Sequence, residues 1–182
     1  YILLGKRIHW TEKRDGTNLR VALADGALEV ATRHQEAASP QFVSYFRESG
    51  EAEKVELFLR EYSGLGGLPV GADFNIQPVV FGELLVKGKS PARFEVHEKH
   101  EFVVFDIWDG AHEYFLPYPL VYQHCYHYAI PCVECWGVGQ VLTLDELWVD
   151  RDKMLEIAKA KGREGVVLKA FEGTKALYAK AK

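Results

Sequence analysis

Hydrophobic and polar positions alternate with a period of two early in the chain, and this pattern predicts paired strands. Residues 19–23 and 27–31 each place apolar side chains at every second position, and Asp25-Gly26 lies between them. An Asp-Gly pair between two such segments favours the two-residue turn of a β-hairpin. Two longer apolar segments, residues 79–86 and 101–107, have the composition of buried strands.

Several helices have recognisable ends. Ser39 before Pro40 is typical of an N-cap followed by proline in the first turn, and it predicts a helix through Phe46. The other predicted helices cover residues 51–62, 119–128 and 151–160, with a further helix start at 143–146. Gly162 ends the last helix before a strand at 165–169.

The order of these elements indicates the fold class. The Gly-rich residues 63–67 lack the spacing of a phosphate-binding loop, and we interpret them as a turn. Strands come as hairpins and pairs instead of alternating regularly with helices. The sequence therefore predicts an α+β fold with largely antiparallel sheet.

Composition restricts the class of protein further. The 182 residues are 48% hydrophobic and 26% charged, which fits one globular domain. No apolar segment approaches the ~20 residues of a membrane-spanning helix, so we expect no membrane association. Three cysteines are too few for a disulfide scaffold, and their odd number favours the reducing cytoplasm.

Charge is distributed unevenly along the chain. The net charge is -4, which argues against a protein that coats nucleic acid non-specifically. Residues 151–182 nevertheless carry nine Lys and Arg against four Asp and Glu, so this end is positive on an acidic body. Such a distribution suits a site that binds phosphates locally.

Lysines in three short segments suggest covalent chemistry. Lys13 lies in Lys13-Arg14-Asp15-Gly16, where a lysine at a strand end before a turn suits a nucleophile once it has lost its proton. Glu164 and Lys169 bracket an apolar strand, and Glu164 at the strand entrance allows both to reach one cleft. Lys180 and Lys182 fall on the same face of a last strand, which suits binding of a phosphate chain.

Six short motifs in a fixed order resemble those of the covalent nucleotidyltransferases, the ATP-dependent RNA and DNA ligases and the mRNA-capping guanylyltransferases. The motifs are Lys13-Arg14-Asp15-Gly16, Thr32-Arg33, Phe81-Gly82-Glu83-Leu84, Val104-Phe105-Asp106-Ile107, Glu164 to Lys169 and Lys180-Ala181-Lys182. Asn18 stands where DNA ligases and capping enzymes usually carry Arg. Together with Glu12 and Arg33 it favours an RNA ligase of the editing-ligase-like branch.

The resemblance implies a nucleotidyltransferase (ATP-grasp-like) adenylation domain over residues 1–182, with antiparallel sheets, flanking helices and the nucleotide in a cleft between them. It implies that Lys13 attacks the α-phosphate of ATP, and that AMP then passes to an RNA 5′-phosphate before a 3′-hydroxyl seals the strand. We expect a monomer. Such ligases usually carry a C-terminal accessory domain after the last motif, so we expect residues 1–182 to be either an excised adenylation domain or a minimal enzyme.

Individual roles follow from the same resemblance. Lys180 and Lys182 would neutralise charge on the α-phosphate, Glu83 would bind the ribose hydroxyls and Phe105 would stack on adenine in place of the competing Phe102. Glu12 with its backbone would meet the purine edge, and Asn18 and Arg33 would hold phosphates, with Arg33 reaching the RNA 5′-phosphate. The remaining nucleotide-binding residues are Asp15 and Lys169. Glu164 would organise Mg²⁺ or Mn²⁺ through water, with ATP as the other cofactor.

Other functions stay open at this point. A DNA ligase, a capping guanylyltransferase and a non-catalytic RNA- or nucleotide-binding module share much of the pattern, and the RNA substrate is either a nicked duplex or single-stranded. Cys132 and Cys135 have the spacing of a zinc hairpin that His124 or His127 would complete, with Cys125 as a further thiol nearby in the sequence. Pro131 instead favours a strand entry with the cysteines as small core residues.

Overall fold

The computed structural model describes residues 3–62, 78–89, 96–172 and 175–182. The predicted turn at 63–67 lies outside these residues. Nine strands in the described ranges, numbered in chain order, are β1 (Arg7–Lys13), β2 (Thr17–Ala24), β3 (Ala27–Thr32), β4 (Val79–Leu85), β5 (Glu101–Asp109), β6 (Tyr114–Phe115), β7 (Cys135–Gln140), β8 (Gly165–Glu172) and β9 (Lys175–Ala181). Four helices in the same ranges are α1 (Pro40–Glu48), α2 (Ala52–Glu61), α3 (Tyr118–His127) and α4 (Leu144–Ala160).

The strands form two antiparallel sheets. Sheet 1 has the order β7-β1-β8-β9, and sheet 2 has the order β3-β2-β4-β5-β6. The predicted hairpin is confirmed: Ala24 pairs with Ala27, and Asp25 and Gly26 both have the positive φ that its turn requires. The α+β prediction with antiparallel sheet is therefore correct.

Local sequence explains where the helices begin. The Ser39 hydroxyl accepts the Phe42 N–H at the start of α1, with Pro40 in the first turn. At the start of α4, Thr143 and Glu146 form a reciprocal capping box. These caps satisfy N–H groups that a helix cannot pair internally.

Each sheet buries its own hydrophobic core. Helices α1, α2 and α3 pack on sheet 2, where Phe46 and Phe58 are almost fully buried and Phe46 meets Phe102 edge to face. Helix α4 covers sheet 1 by packing Met154 and Ala158 against β1 and β8. A third, smaller cluster of Leu85, Val103, Tyr118 and Val133 packs on the other face of sheet 2, beside the cleft that the two sheets line.

Two predictions about elements need correction. The helix start at 143–146 and the helix at 151–160 are one continuous helix, α4. The strands at 114–115 and 135–140 were not predicted, and of the strand at 7–13 only its end at Lys13 was. β1 gives a weak pattern because residues 8–12 are all buried, one face of the strand on the core under α4 and the other toward the cleft.

Candidate active site

A cavity of about 380 Å³ lies in the cleft between the two sheets. Six strands supply most of its walls, β1, β8 and β9 from sheet 1 and β2, β4 and β5 from sheet 2. The lining residues are Thr11, Glu12, Lys13, Arg14, Asn18, Glu83, Phe105, Asp106, Val133, Val167, Lys169, Tyr178 and Lys180. The cavity therefore brings together residues from five of the six motifs.

Lys13 ends β1 and forms an ion pair with the buried Glu164. Glu164 also pairs with Lys182 through its other carboxylate oxygen, so one carboxylate joins the ammonium groups of two motifs. This contact raises the pKa of Lys182, chiefly through the hydrogen bond that the Lys182 ammonium donates to Glu164. The next residue, Gly165, lets the start of β8 lie close to the end of β9. A Cβ at this position would clash with the backbone carbonyl oxygen of Ala181.

Glu83 stands across the cavity on β4. Its neighbour in register on β2 is Asn18, and its Oε1 accepts the Gly16 N–H at 3.2 Å. Burial raises the pKa of Glu83 from 4.5 to about 7, an effect that the positive charge of Lys13 opposes. Gly16 is required here, because a Cβ would lie 2.6 Å from the Leu84 carbonyl oxygen.

A buried polar network forms another wall. The Lys169 ammonium lies 2.9 Å from Asp106 Oδ1 and donates to the Phe105 carbonyl oxygen. The Tyr178 hydroxyl hydrogen-bonds to the same carboxylate. Burial raises the pKa of Asp106, and Lys169 opposes that rise. A buried charge is tolerated when it is paired in this way.

The side-chain carboxylate of Glu12 is bound by other groups of the protein. Glu12 is 3% exposed; its Oε2 accepts Arg163 Nε at 2.7 Å and its Oε1 accepts the Glu134 N–H at 3.1 Å. Arg14 Nη1 lies 3.7 Å from Oε1. The carboxylate thus anchors β1 to the segment before β7 and to the turn after α4.

The other predicted site residues are placed differently. Lys180 lines the cavity. Lys182 does not line it but pairs with Glu164, the partner of the lining residue Lys13. Asp15 is buried outside the lining, and its carbonyl oxygen lies 3.1 Å from His97 Nε2. Arg33 is exposed in the turn after β3 and does not line this cavity.

Six lining residues were not predicted as site residues: Thr11, Arg14, Asp106, Val133, Val167 and Tyr178. Asp106 directly follows Phe105 within a quoted motif, and an acid in an apolar strand was the available signal. Tyr178 lies two positions before Lys180, and this period-two spacing along β9 places both on one face. Phe102, the alternative to Phe105 for stacking, is fully buried in the core of sheet 2.

The cysteines pack as small side chains. Cys125 is buried on α3, while Cys132 and Cys135 are half-buried and carry free thiols. Cys135 Sγ donates to the Gly137 carbonyl oxygen at 3.2 Å. Among the residues that the structure describes, no group of three or more His, Cys, Asp and Glu side chains is arranged around a metal position.

The donor set at Glu164 fits a hydrated divalent cation. Mg²⁺ usually keeps several waters and takes one or two carboxylates together with substrate phosphates, so no cage of protein ligands is needed. Glu164 supplies one buried carboxylate, whose two oxygens pair with Lys13 and Lys182, so a hydrated cation would take the place of one of these ammonium groups.

The two antiparallel sheets with a cleft between them form a fold that RNA ligase structures share. The sequence profile of the RNA ligase family matches residues 6–182, and the chain belongs to this family. A search of curated protein sequences found no match. In the described part of the chain, no helix has the length and apolar character to span a membrane.

Solved structures share the fold at low sequence identity. An archaeal ATP-dependent RNA ligase matches with a TM-score of 0.67 and 21% identity over 98% of this chain and 43% of its own. A Naegleria gruberi RNA ligase variant with ATP and Mn matches with a TM-score of 0.69 and 16% identity over 99% of this chain and 50% of its own. The same ligase with PPi gives a TM-score of 0.68 and 17% identity, over 99% and 51%. The chain spans about half the length of these proteins.

Proposed function

We propose that residues 1–182 form the adenylation domain of an ATP-dependent RNA ligase. The observation that carries the proposal is a single cavity that joins Lys13 to an apolar wall at Phe105, a carboxylate at Glu83 and cations at Lys169 and Lys180. These groups match the parts of ATP: a base, a ribose, phosphates and an electrophilic phosphorus. RNA ligase family membership and the ATP-dependent ligases among the structural matches support the same assignment.

Lys13 is the nucleophile in this proposal. Its neutral amine attacks the α-phosphorus of ATP, the P–N bond forms as the bond to the bridging oxygen breaks, and pyrophosphate leaves. Glu164 holds the Lys13 side chain in place and is positioned to accept its proton. Lys180 and Lys182 stabilise the charge that develops on the phosphate oxygens. A divalent cation bound through water to Glu164 would add Lewis-acid polarisation of the same phosphate.

Base and sugar occupy the apolar part of the cavity. Phe105 on sheet 2 and Val167 on sheet 1 both line the slot, which suits a flat base between an aromatic ring and an aliphatic side chain. Glu83 receives the ribose hydroxyls, and the backbone at Glu12 meets the purine edge. Lys169 donates hydrogen bonds from the wall.

The sealing steps use the same cavity. A 5′-phosphate oxygen of RNA attacks the phosphorus of the lysine-bound AMP and displaces Lys13, and a 3′-hydroxyl then displaces AMP to form the phosphodiester. Arg33 and Asn18 contact phosphates in these steps. Arg33 lies outside the cavity, so it suits a contact with RNA rather than with ATP. An intracellular location and a monomeric state stay predictions.

Covalent labelling tests the proposal directly. The protein is incubated with ATP labelled at the α-phosphate and a divalent cation, and denaturing electrophoresis then detects the adduct. Lys13→Ala and Lys13→Arg should both lose the label, because arginine stays protonated and cannot attack. The exposed Lys153→Ala on α4 is the matched control and should keep it. An adduct on Lys13→Ala protein would refute the assignment of the nucleophile.

Nucleotide and strand preference separate the alternatives. ATP should label the protein far better than GTP; the reverse result would indicate a capping guanylyltransferase. A pre-adenylated nick with ribonucleotides at the 3′-hydroxyl side should seal faster than an all-DNA nick, since the 2′-hydroxyl distinguishes RNA from DNA. Equal rates would indicate a DNA ligase. An intact fold with no adduct would indicate a non-catalytic binding module.

A further inference from the structure

A second cavity of about 460 Å³ adjoins the candidate active site. It lies at the ends of β4 and β5, between the segment 96–99 and the turn after α4. Its lining residues are Arg14, Leu85, Val96, His97, Glu98, Lys99, Glu101, Lys161, Gly162 and Arg163. Arg14 lines both cavities and directly follows Lys13, so this basic groove begins one residue from the nucleophile.

Charge in the basic groove favours an anion. Four of its lining side chains, Arg14, Lys99, Lys161 and Arg163, are cationic against the two carboxylates of Glu98 and Glu101. The two arginines are held at the wall by Glu12, with Arg163 Nε at 2.7 Å and Arg14 Nη1 at 3.7 Å from its oxygens.

The two lysines are held only weakly where they stand. Lys161 pairs with Glu134 at 3.0 Å and Lys99 with Glu101 at 3.5 Å, and the side chains of both lysines are well exposed. Exposed pairs of this kind contribute about 0–1 kcal/mol, so an arriving phosphate exchanges for the carboxylate at small cost. The lysines are therefore available to a polyanion.

The shape and lining of the basic groove distinguish a strand from a small anion. Its volume accommodates a nucleotide unit, whereas a single phosphate would fill a small part of it. Among the described lining residues there is no Phe, Tyr or Trp, so the groove offers no stacking platform for a base. Such a surface suits the sugar–phosphate backbone, which is bound without regard to sequence.

His97 connects this groove to the nucleophile segment. Its Nε2 lies 3.1 Å from the Asp15 carbonyl oxygen, and its own carbonyl oxygen accepts the Gly88 N–H at 2.9 Å. The segment 96–99, which carries Lys99, is thereby fixed to the loop that follows Lys13. A backbone bound along the groove is positioned relative to the reacting lysine.

We propose that the basic groove binds the phosphodiester backbone of the RNA substrate next to its reacting end. This inference rests on the proposed function and adds to it the place where the strand lies. Lys99 and Lys161 supply contacts to phosphate oxygens that ATP does not need, since neither lines the nucleotide cavity.

The test compares two double variants of equal charge in the whole chain. Lys99→Gln with Lys161→Gln removes the two groove lysines, and Lys153→Gln with Lys175→Gln removes two exposed lysines that line neither cavity. Binding of a 5′-phosphorylated single-stranded RNA is followed by fluorescence anisotropy over a range of salt concentrations. Self-adenylation with labelled ATP is measured in parallel.

The groove variant should bind RNA about tenfold more weakly at 0.1 M salt. The slope of log K, the binding constant, against log salt concentration should be shallower by about 1.4, because each of the two lost phosphate contacts contributes about 0.7. Self-adenylation should be unchanged, and Lys99→Arg with Lys161→Arg should restore binding.

Equal RNA binding by the groove variant and the control variant would overturn the inference, and so would an unchanged salt slope. Displacement of RNA by inorganic pyrophosphate at equal phosphate concentration would also overturn it, because that result would indicate a small-anion site. Absence of self-adenylation in the unaltered protein would refute the proposed function instead, while the anisotropy comparison would still test the groove.

Discussion

Replacing Glu83 with glutamine should make the stability of the protein less dependent on pH. Glutamine keeps the size of the side chain and an oxygen that can accept the Gly16 N–H, but it cannot ionise. Burial raises the pKa of Glu83 from 4.5 to about 7, so folding favours the protonated carboxyl group. The contribution of Glu83 to stability is therefore fully present below pH 4.5 and is lost as the pH rises through 7.

The size of the effect follows from the shift. One pKa unit corresponds to about 1.4 kcal/mol, so the rise from 4.5 to about 7 corresponds to about 3 kcal/mol. Near pH 4.5 the wild type and Glu83→Gln should have similar free energies of unfolding. At pH 8.5 the variant should be more stable than the wild type by about 3 kcal/mol, because only the wild type then carries an ionised carboxylate in a buried position.

Urea unfolding from pH 4.5 to 8.5 measures this difference. Glu29→Gln is the matched control, since Glu29 is exposed on β3, and it should give the same pH profile as the wild type. A constant difference between Glu83→Gln and the wild type across the whole range would refute the reasoning. If Glu83 also binds the ribose, the variant should gain stability at pH 8.5 while losing self-adenylation.

Three further predictions concern packing around the site and the cores. Gly165→Ala should lower the free energy of unfolding by about 1–3 kcal/mol, because its Cβ would clash with the Ala181 carbonyl. Gly139→Ala, which has open space around its Cβ, should change the free energy of unfolding little. Equal urea midpoints for the two variants would contradict this prediction. Tyr178→Phe should cost about 1 kcal/mol by removing the hydroxyl bonded to Asp106, and thermal unfolding at pH 7 that shows no loss would argue against that bond. Phe46→Ala should lower the free energy of unfolding by about 3–5 kcal/mol, because Phe46 is fully buried. Leu57→Ala should lower it much less, because Leu57 is half-exposed. Similar losses for the two variants in urea unfolding would disprove the assigned core.

The amino-acid sequence alone determined the features that depend on neighbouring residues. Asp25-Gly26 specified the hairpin of β2 and β3, because its turn is set by the two residues themselves. Ser39 with Pro40 specified the start of α1 for the same reason. The six motifs also required no tertiary information, and they led to the family to which the chain belongs.

Tertiary structure decided which distant groups meet. Glu164 pairs with Lys13, 151 positions earlier, and no local pattern encodes such a contact. The engagement of Glu12 with Arg163 depends in the same way on the packing of α4 and β8 against β1. Helix α4 continues through the polar residues 150–152 because its capping box and the packing of Met154 outweigh a local break in apolar spacing. Side-chain contacts across a cleft depend on how sheets are brought together, and that is fixed by burial over the whole chain rather than by any one segment.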